Sequence, residues 1–369
     1  MDLQDRVIKQ GIANDTAWMG RLAADMTDPS RSPCSPIFSL CLMPYIALYV
    51  HESYTKLEAS DPKLAAKVAA DFKAIVARAR HSLKLFEDNK RKIKGQLDYF
   101  REEIYAANYD HFIGSVHPVF QSLATDLGLF AYDSKLITTT HVATFHYGMP
   151  PRDLLSMGEQ EIRDFSERYG RYARYLGAHV PASSGATFFS CLDPAKLSDT
   201  EDDVCAAEYY DRVFDGSASP DLNALLTVFR CMANFADTAI PVMGINGGVD
   251  YTEFKIRFVT VYQVLRSLQV LRDDTARTLT SRSARYLERI LDAPEALAIM
   301  ASPAKPFRNL VMHYGLDTRI DLAKVDLNDP LFGLAPYYYP SCKDALELAT
   351  LVDQALSHTA AALNDWAAA

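Results

Sequence analysis

The segment FRNLVMHYGLD, residues 307–317, gathers an arginine, an asparagine and a histidine within six residues. On a 3.6-residue helical repeat Phe307, Leu310, Val311 and Tyr314 share one face, and Arg308, Asn309, Met312 and His313 occupy the other. Asn309 and His313 are four apart and so are neighbours, with Arg308 flanking them. His313 falls in the last turn, where the helix dipole favours positive charge. A proton-carrying imidazole beside a fixed cation and an amide suits work on a phosphodiester: His313 moves the proton, Arg308 stabilises charge on the phosphoryl oxygens and Asn309 positions the group. The same pattern also describes a core-packed helix showing water its polar side. The chemical reading requires Phe307, Leu310 and Val311 to be buried while Arg308, Asn309 and His313 project away from the core. Met312, apolar on the polar face, then predicts a covering helix from a second copy, in a homodimer that brings two such segments together.

Other stretches carry weaker chemistry. APYYYPS (335–341) offers Tyr337, Tyr338 and Tyr339, which either stack nucleic-acid bases or staple a loop onto the last helix. KLFEDNKRKIKGQ (84–96) collects Lys84, Lys90, Arg91, Lys92 and Lys94, of which Lys90 and Arg91 are candidate contacts to an RNA backbone; a solvated turn explains the run equally. MGINGGVDYTE (243–253) is glycine-rich before a helix start but lacks the Gly-Lys-Ser/Thr ending of a P-loop, and reads as an inter-helix turn. His141 and His146 are five apart, poor spacing for two ligands on one helix face, and SDTEDD (198–203) lacks the alternation of a calcium loop. No metal site and no cofactor are expected, although a lone histidine can in principle serve a haem. There is no G-x-S-x-G elbow.

The elements that position these residues are helical. Pro303 and Pro306 fit the first turn of the 307–313 helix, and Gly315 is placed to end it in the left-handed conformation. Asp61-Pro62 caps a helical pattern running to about 107, as one helix or as two with a break near Asp88-Asn89. Further patterns cover 222–238, 250–272 (opened by an Asp250/Glu253 capping box) and 343–366. The middle pattern buries a stripe of Phe254, Phe258, Val261, Leu265 and Leu268. Only KLITTTHVATFHY (135–147) reads as a strand or extended loop. The fold class is all-α, a bundle or bundles, divided into an N-terminal helical region (1–190), an acidic solvated connection (191–221) and a C-terminal helical domain (222–369).

A net charge of −9 argues against bulk electrostatic attachment to nucleic acid, which leaves a local basic patch as the route. MDLQDRVIKQ lacks the basic start and apolar run of a signal peptide, and PIFSLCLMPYIALYV (36–50) is too short to span a bilayer. Cysteines at 34, 41, 191, 205, 231 and 342 show no C-x-x-C pair. Reduced thiols in a cytoplasmic protein that does not enter membranes are expected.

RNLVMH (308–313) resembles the R-N-x-x-x-H signature of HEPN domains, all-α domains many of which are metal-independent ribonucleases. A preceding long helix, the motif helix, a loop and a closing helix fit that arrangement over 222–366, and none of the N-terminal half is covered. The chain also holds RYLGAH (174–179), with the same Arg–His spacing but no asparagine. The resemblance implies a dimeric RNA-cleaving protein of toxin or antiviral-defence type. The alternative is a non-catalytic helical module that docks a protein partner.

Overall fold

The computed structural model describes residues 3–26, 35–82, 93–114, 116–117, 121, 124–178, 192–199, 204–214, 219–244, 247–274, 279–301, 304–317 and 319–369. Helices dominate. Before the sheet lie α1 (Leu3–Met26), α2 (Ser35–Ser60), α3 (Pro62–Ser82) and α4 (Ile93–Tyr99). A small antiparallel sheet follows from β1 (Leu129–Tyr132), β2 (Lys135–Thr139) and β3 (Leu197–Asp199), in the order β2-β1-β3. Between β2 and β3 come α5 (Thr140–Tyr147), α6 (Pro151–Ser156) and α7 (Glu159–Gly177). The remainder comprises α8 (Ala206–Arg212), α9 (Pro220–Ala239), α10 (Tyr251–Arg272), α11 (Ser281–Leu291), α12 (Pro294–Ile299), α13 (Ala304–His313), α14 (Ala335–Tyr338) and α15 (Ala345–Ala367). The all-α class holds, with one minor sheet.

The caps explain where the helices begin. Asp61 Oδ1 accepts the Leu64 amide at 3.1 Å and starts α3. The expected break near Asp88-Asn89 lies outside the described residues; beyond it α4 runs on through two π-helical stretches, Phe100–Tyr105 and Tyr109–Ile113. Asp250 accepts the amides of Thr252 (2.8 Å) and Glu253 (3.1 Å), one arm of the expected capping box. The Glu253 carboxylate turns instead to Trp18 of α1, accepting from Nε1 at 3.4 Å.

The 135–147 segment is strand for only five residues. Asp133 and Ser134 take φ of 51° and 65°, as a two-residue hairpin turn between β1 and β2 demands. Thr139 then accepts the Val142 amide at 3.1 Å, and the β-branched run turns into α5.

Pro44 lies inside α2 and denies a hydrogen bond to the Leu40 carbonyl four residues back. Buried His146 of α5 faces that carbonyl weakly, since neither ring nitrogen reaches full hydrogen-bond geometry. Burial pushes the His146 pKa down to about 4, so the ring is neutral in the fold.

The apolar stripe of α10 is only part of its buried surface. The helix is enclosed on nearly all sides, with Glu253, Lys255, Arg257 and Gln263 buried as well. Its two buried cations are partnered. Lys255 Nζ meets Asp15 of α1 at 2.6 Å, and Arg257 pairs with Asp353 of α15. Arg257 Nη1 also donates to the carbonyls of Ala236 and Ile240, both at 2.7 Å, satisfying the C-terminal end of α9. One continuous core joins α1 and α2 with α9, α10, α13 and α15, so it crosses the expected boundary. Residues 191–221, expected to be solvated, supply β3 and α8, and Tyr210 there is buried. No helix among the described residues is long and apolar enough to cross a membrane.

Candidate functional site

Helix α13 is anchored by Phe307, fully buried with its ring edge-on to Phe258 at 5.1 Å and to Tyr339 at 5.5 Å. Leu310 and Val311 are buried beside it, while Arg308, Asn309 and His313 are partly exposed. The two faces are those the helical repeat predicts. Met312 departs from them. It is only 2% exposed within the single chain, so the chain itself covers the position assigned to a second copy. Met312 therefore needs no second copy of the chain to cover it.

The helix does not end at Gly315. Tyr314 takes the left-handed conformation, with φ of 53°, which costs a residue bearing a Cβ roughly 1–2 kcal/mol. The surroundings hold it there. The Tyr314 hydroxyl donates to Asp15 Oδ2 at 2.5 Å, and the Lys255 ammonium lies 4.4 Å from the centre of its ring. Thr252 donates to the other oxygen of Asp15 at 2.8 Å. Gly11 of α1 leaves room for the ring: a Cβ there would lie 2.8 Å from Tyr314 Cδ1. Burial first, and then the nearby Asp15 carboxylate, push the Tyr314 hydroxyl well above its usual pKa, so the phenol stays protonated and is the donor in this pair.

What faces the exposed side of α13 is the polar end of α2. Glu52, with a side chain only 8% exposed, accepts from His313 Nδ1 at 2.9 Å through Oε2. Its other oxygen, Oε1, lies 3.3 Å from His51 Nδ1. Burial alone would raise the Glu52 pKa. The hydrogen bonds from His313 and His51, with their charge, outweigh it and hold the carboxyl at about 2. An ionised carboxylate only accepts, so it keeps the proton of each ring on Nδ1 and leaves each Nε2 for another partner. Lys56, one turn along α2 from Glu52, brings its ammonium next to Gly315: a Cβ built on that glycine would lie 3.6 Å from Nζ. On α13, Arg308 Nη1 donates to Asn309 Oδ1 at 3.2 Å, which orients the guanidinium.

The assembled group is thus two imidazoles sharing one buried carboxylate, with Lys56 one turn along α2. Arg308, Asn309 and His313 lie on the partly exposed side of α13. His51, Glu52 and Lys56 were not anticipated. Their signal is the abrupt switch from the apolar run ending at Val50 to HESYTK (51–56), where charge first appears on a buried helix.

Other candidates fare differently. Tyr338 is a correction: it is 3% exposed and its ring packs on Phe307 of α13 at 5.3 Å, so it cannot stack a base and instead fixes this segment to α13. Tyr339 is buried likewise. Tyr337 is 38% exposed, and its hydroxyl donates to the Arg319 carbonyl at 3.5 Å. Lys90 and Arg91 lie outside the described residues. The glycine-rich segment closes a turn between α9 and α10, in which the Gly244 amide donates to the Gly248 carbonyl at 2.7 Å. His141 is buried among Phe100, Tyr105 and Tyr210, with its pKa pushed down to about 4 by burial. Among the described residues no group of three or more His, Cys, Asp or Glu is placed to hold a metal ion. The described cysteines, Cys41, Cys205, Cys231 and Cys342, are free thiols.

Comparison with protein-family models, with curated proteins and with solved structures finds no match.

Proposed function

We propose that the chain cleaves RNA by transesterification at the α13–α2 junction. The observation that carries this reading is the 2.9 Å contact between His313 Nδ1 and the ionised, buried Glu52 carboxylate, which orients a partly exposed imidazole on the helix that also carries partly exposed Arg308 and Asn309. In the reaction an imidazole nitrogen takes the proton of the ribose 2′-hydroxyl, the 2′-oxygen attacks the adjacent phosphorus, and the bond from phosphorus to the 5′-oxygen breaks as that oxygen takes up a proton, leaving a 2′,3′-cyclic phosphate and a 5′-hydroxyl. Arg308, with Lys56 across the junction, stabilises the charge gathered on the phosphoryl oxygens. Asn309 holds the arginine in place. The likeness of RNLVMH to the HEPN signature supports the same chemistry, and with it a cytoplasmic toxin or antiviral-defence role. A second copy of the chain, as the resemblance implies, would add its own α13 to the assembly.

The test is incubation of the purified chain with total RNA in EDTA, beside His313→Ala and Arg308→Ala. Cleavage by the wild type alone, products ending in a cyclic phosphate, and sparing of DNA of the same sequence are expected. No cleavage of any RNA, or equal cleavage by His313→Ala, overturns the reading. The docking-module alternative would then stand.

A further inference from the structure

We infer that His51 is a second proton-transfer residue of this site, paired with His313 through the Glu52 carboxylate that both rings contact. The inference rests on the proposed cleavage reading and extends it from one imidazole to two.

Transesterification needs two proton movements on opposite sides of phosphorus. As the bond from the 2′-oxygen to phosphorus forms, the 2′-oxygen loses a proton; as the bond from phosphorus to the 5′-oxygen breaks, that oxygen must gain one. The two oxygens occupy opposite apical positions, so an imidazole that has just taken the first proton lies on the wrong side to deliver the second. A pair of imidazoles flanking the phosphate solves this. One accepts the 2′-proton and the other donates to the leaving 5′-oxygen. The products are a 2′,3′-cyclic phosphate and a 5′-hydroxyl, no electron leaves the site, and proton exchange with water resets the pair.

The geometry meets that need. His313 Nδ1 and His51 Nδ1 approach different oxygens of one carboxylate, at 2.9 and 3.3 Å, so both rings are held by the same group with their Nε2 atoms left for substrate. Both rings keep solvent access, with side-chain exposures of 33% and 19%, whereas Glu52 between them is 8% exposed. A carboxylate placed only to anchor α2 against α13 would require one histidine. The second is consecutive with Glu52 in the chain and still turns its Nδ1 onto the free oxygen. Lys56, one turn from Glu52 on α2, adds a cation to the same junction, its ammonium next to Gly315 just beyond His313.

The test uses the full-length chain and RNA oligonucleotides in which the 5′-leaving oxygen is replaced by sulfur. A thiolate leaves without a proton, so losing the group that protonates the leaving atom no longer matters. On ordinary RNA, His51→Ala and His313→Ala should each lower the cleavage rate by roughly 10²–10⁴-fold. On the sulfur substrate one of the two variants, the one lacking the proton donor, should recover to within about tenfold of wild type, and the other should not. His51→Ala cleaving ordinary RNA at the wild-type rate, or failure of both variants to recover, overturns the inference while leaving the His313 reading intact. A wild type inert on all RNA removes the cleavage reading itself. A substrate-free measurement stands beside it: Glu52→Gln should move the imidazole Cε1–Hε1 NMR signals of both His51 and His313. Movement of only one ring refutes the shared carboxylate.

Discussion

Replacing Glu52 by glutamine removes a charge and keeps the shape, and the outcome is set by the carboxyl's own titration. In the fold its pKa drops from the ordinary 4.5 to about 2: burial opposes ionisation, and the two histidines more than reverse that. At about 1.4 kcal/mol per pH unit, the difference is worth about 3 kcal/mol of folding stability. The sign follows from the direction. A carboxyl whose folded pKa is depressed contributes fully above the unfolded value near 4.5, and the contribution fades as pH falls towards 2. Urea denaturation of wild type and Glu52→Gln at pH 6 should therefore differ by about 3 kcal/mol, a size also typical of breaking a buried ion pair. At pH 3 the gap should shrink to less than half. A variant as stable as wild type at pH 6, or a gap that does not change between pH 6 and pH 3, would refute the account of Glu52 as an ionised hub.

Glu253 has the opposite sign. Burial, followed by Asp250, raises its pKa to about 7, so the native state holds a proton that the unfolded chain releases near 4.5. The stability this gives is complete below 4.5 and lost as pH rises through 7, so the melting temperature of Glu253→Gln should exceed that of wild type by a margin that widens from pH 5 to pH 8. A constant margin would refute this. Asp15→Ala leaves the Lys255 ammonium buried without its 2.6 Å partner; a loss of about 3–5 kcal/mol is expected in chemical denaturation, and a loss under 1 kcal/mol would show the pair to be dispensable. Gly11→Ala inverts a rule: at an open helical position alanine gains up to about 1 kcal/mol over glycine, but here its Cβ would meet the Tyr314 ring at 2.8 Å, so the variant should be less stable, and a higher melting temperature would place the ring elsewhere.

Much of the helical framework is visible in the sequence because its signals are local. Asp61 and Asp250 cap as their neighbours suggest, and Phe307, Leu310 and Val311 face inward because a 3.6-residue repeat leaves them no other common side. Tertiary facts are hidden. Nothing within residues 307–317 says that Met312 will be covered by the rest of its own chain, or that Tyr314 will take the left-handed turn a glycine beside it could have supplied. That choice depends on Asp15 and Lys255, far away in sequence, reaching the same ring. Likewise the charged residues of α10 look like a solvated face until their partners arrive from α1 and α15. The site was half visible for the same reason. Arg308, Asn309 and His313 share one helix, whereas His51, Glu52 and Lys56 meet them only through packing.

A cluster split between α2 and α13 also has an order of appearance. During synthesis, at about 5–20 residues per second, His313 leaves the ribosome's active centre roughly 13–50 s after Glu52. Through that interval the Glu52 carboxylate has His51 beside it in the chain and lacks His313. Tyr314, which shapes the turn next to Lys56, is made later still and needs Asp15 and Lys255 already in position. The nascent chain therefore carries no assembled cluster until the last helices dock. A stalled or truncated product that ends before residue 304 would keep His51, Glu52 and Lys56 and lack the α13 half of the cluster, whatever fold its N-terminal helices had reached.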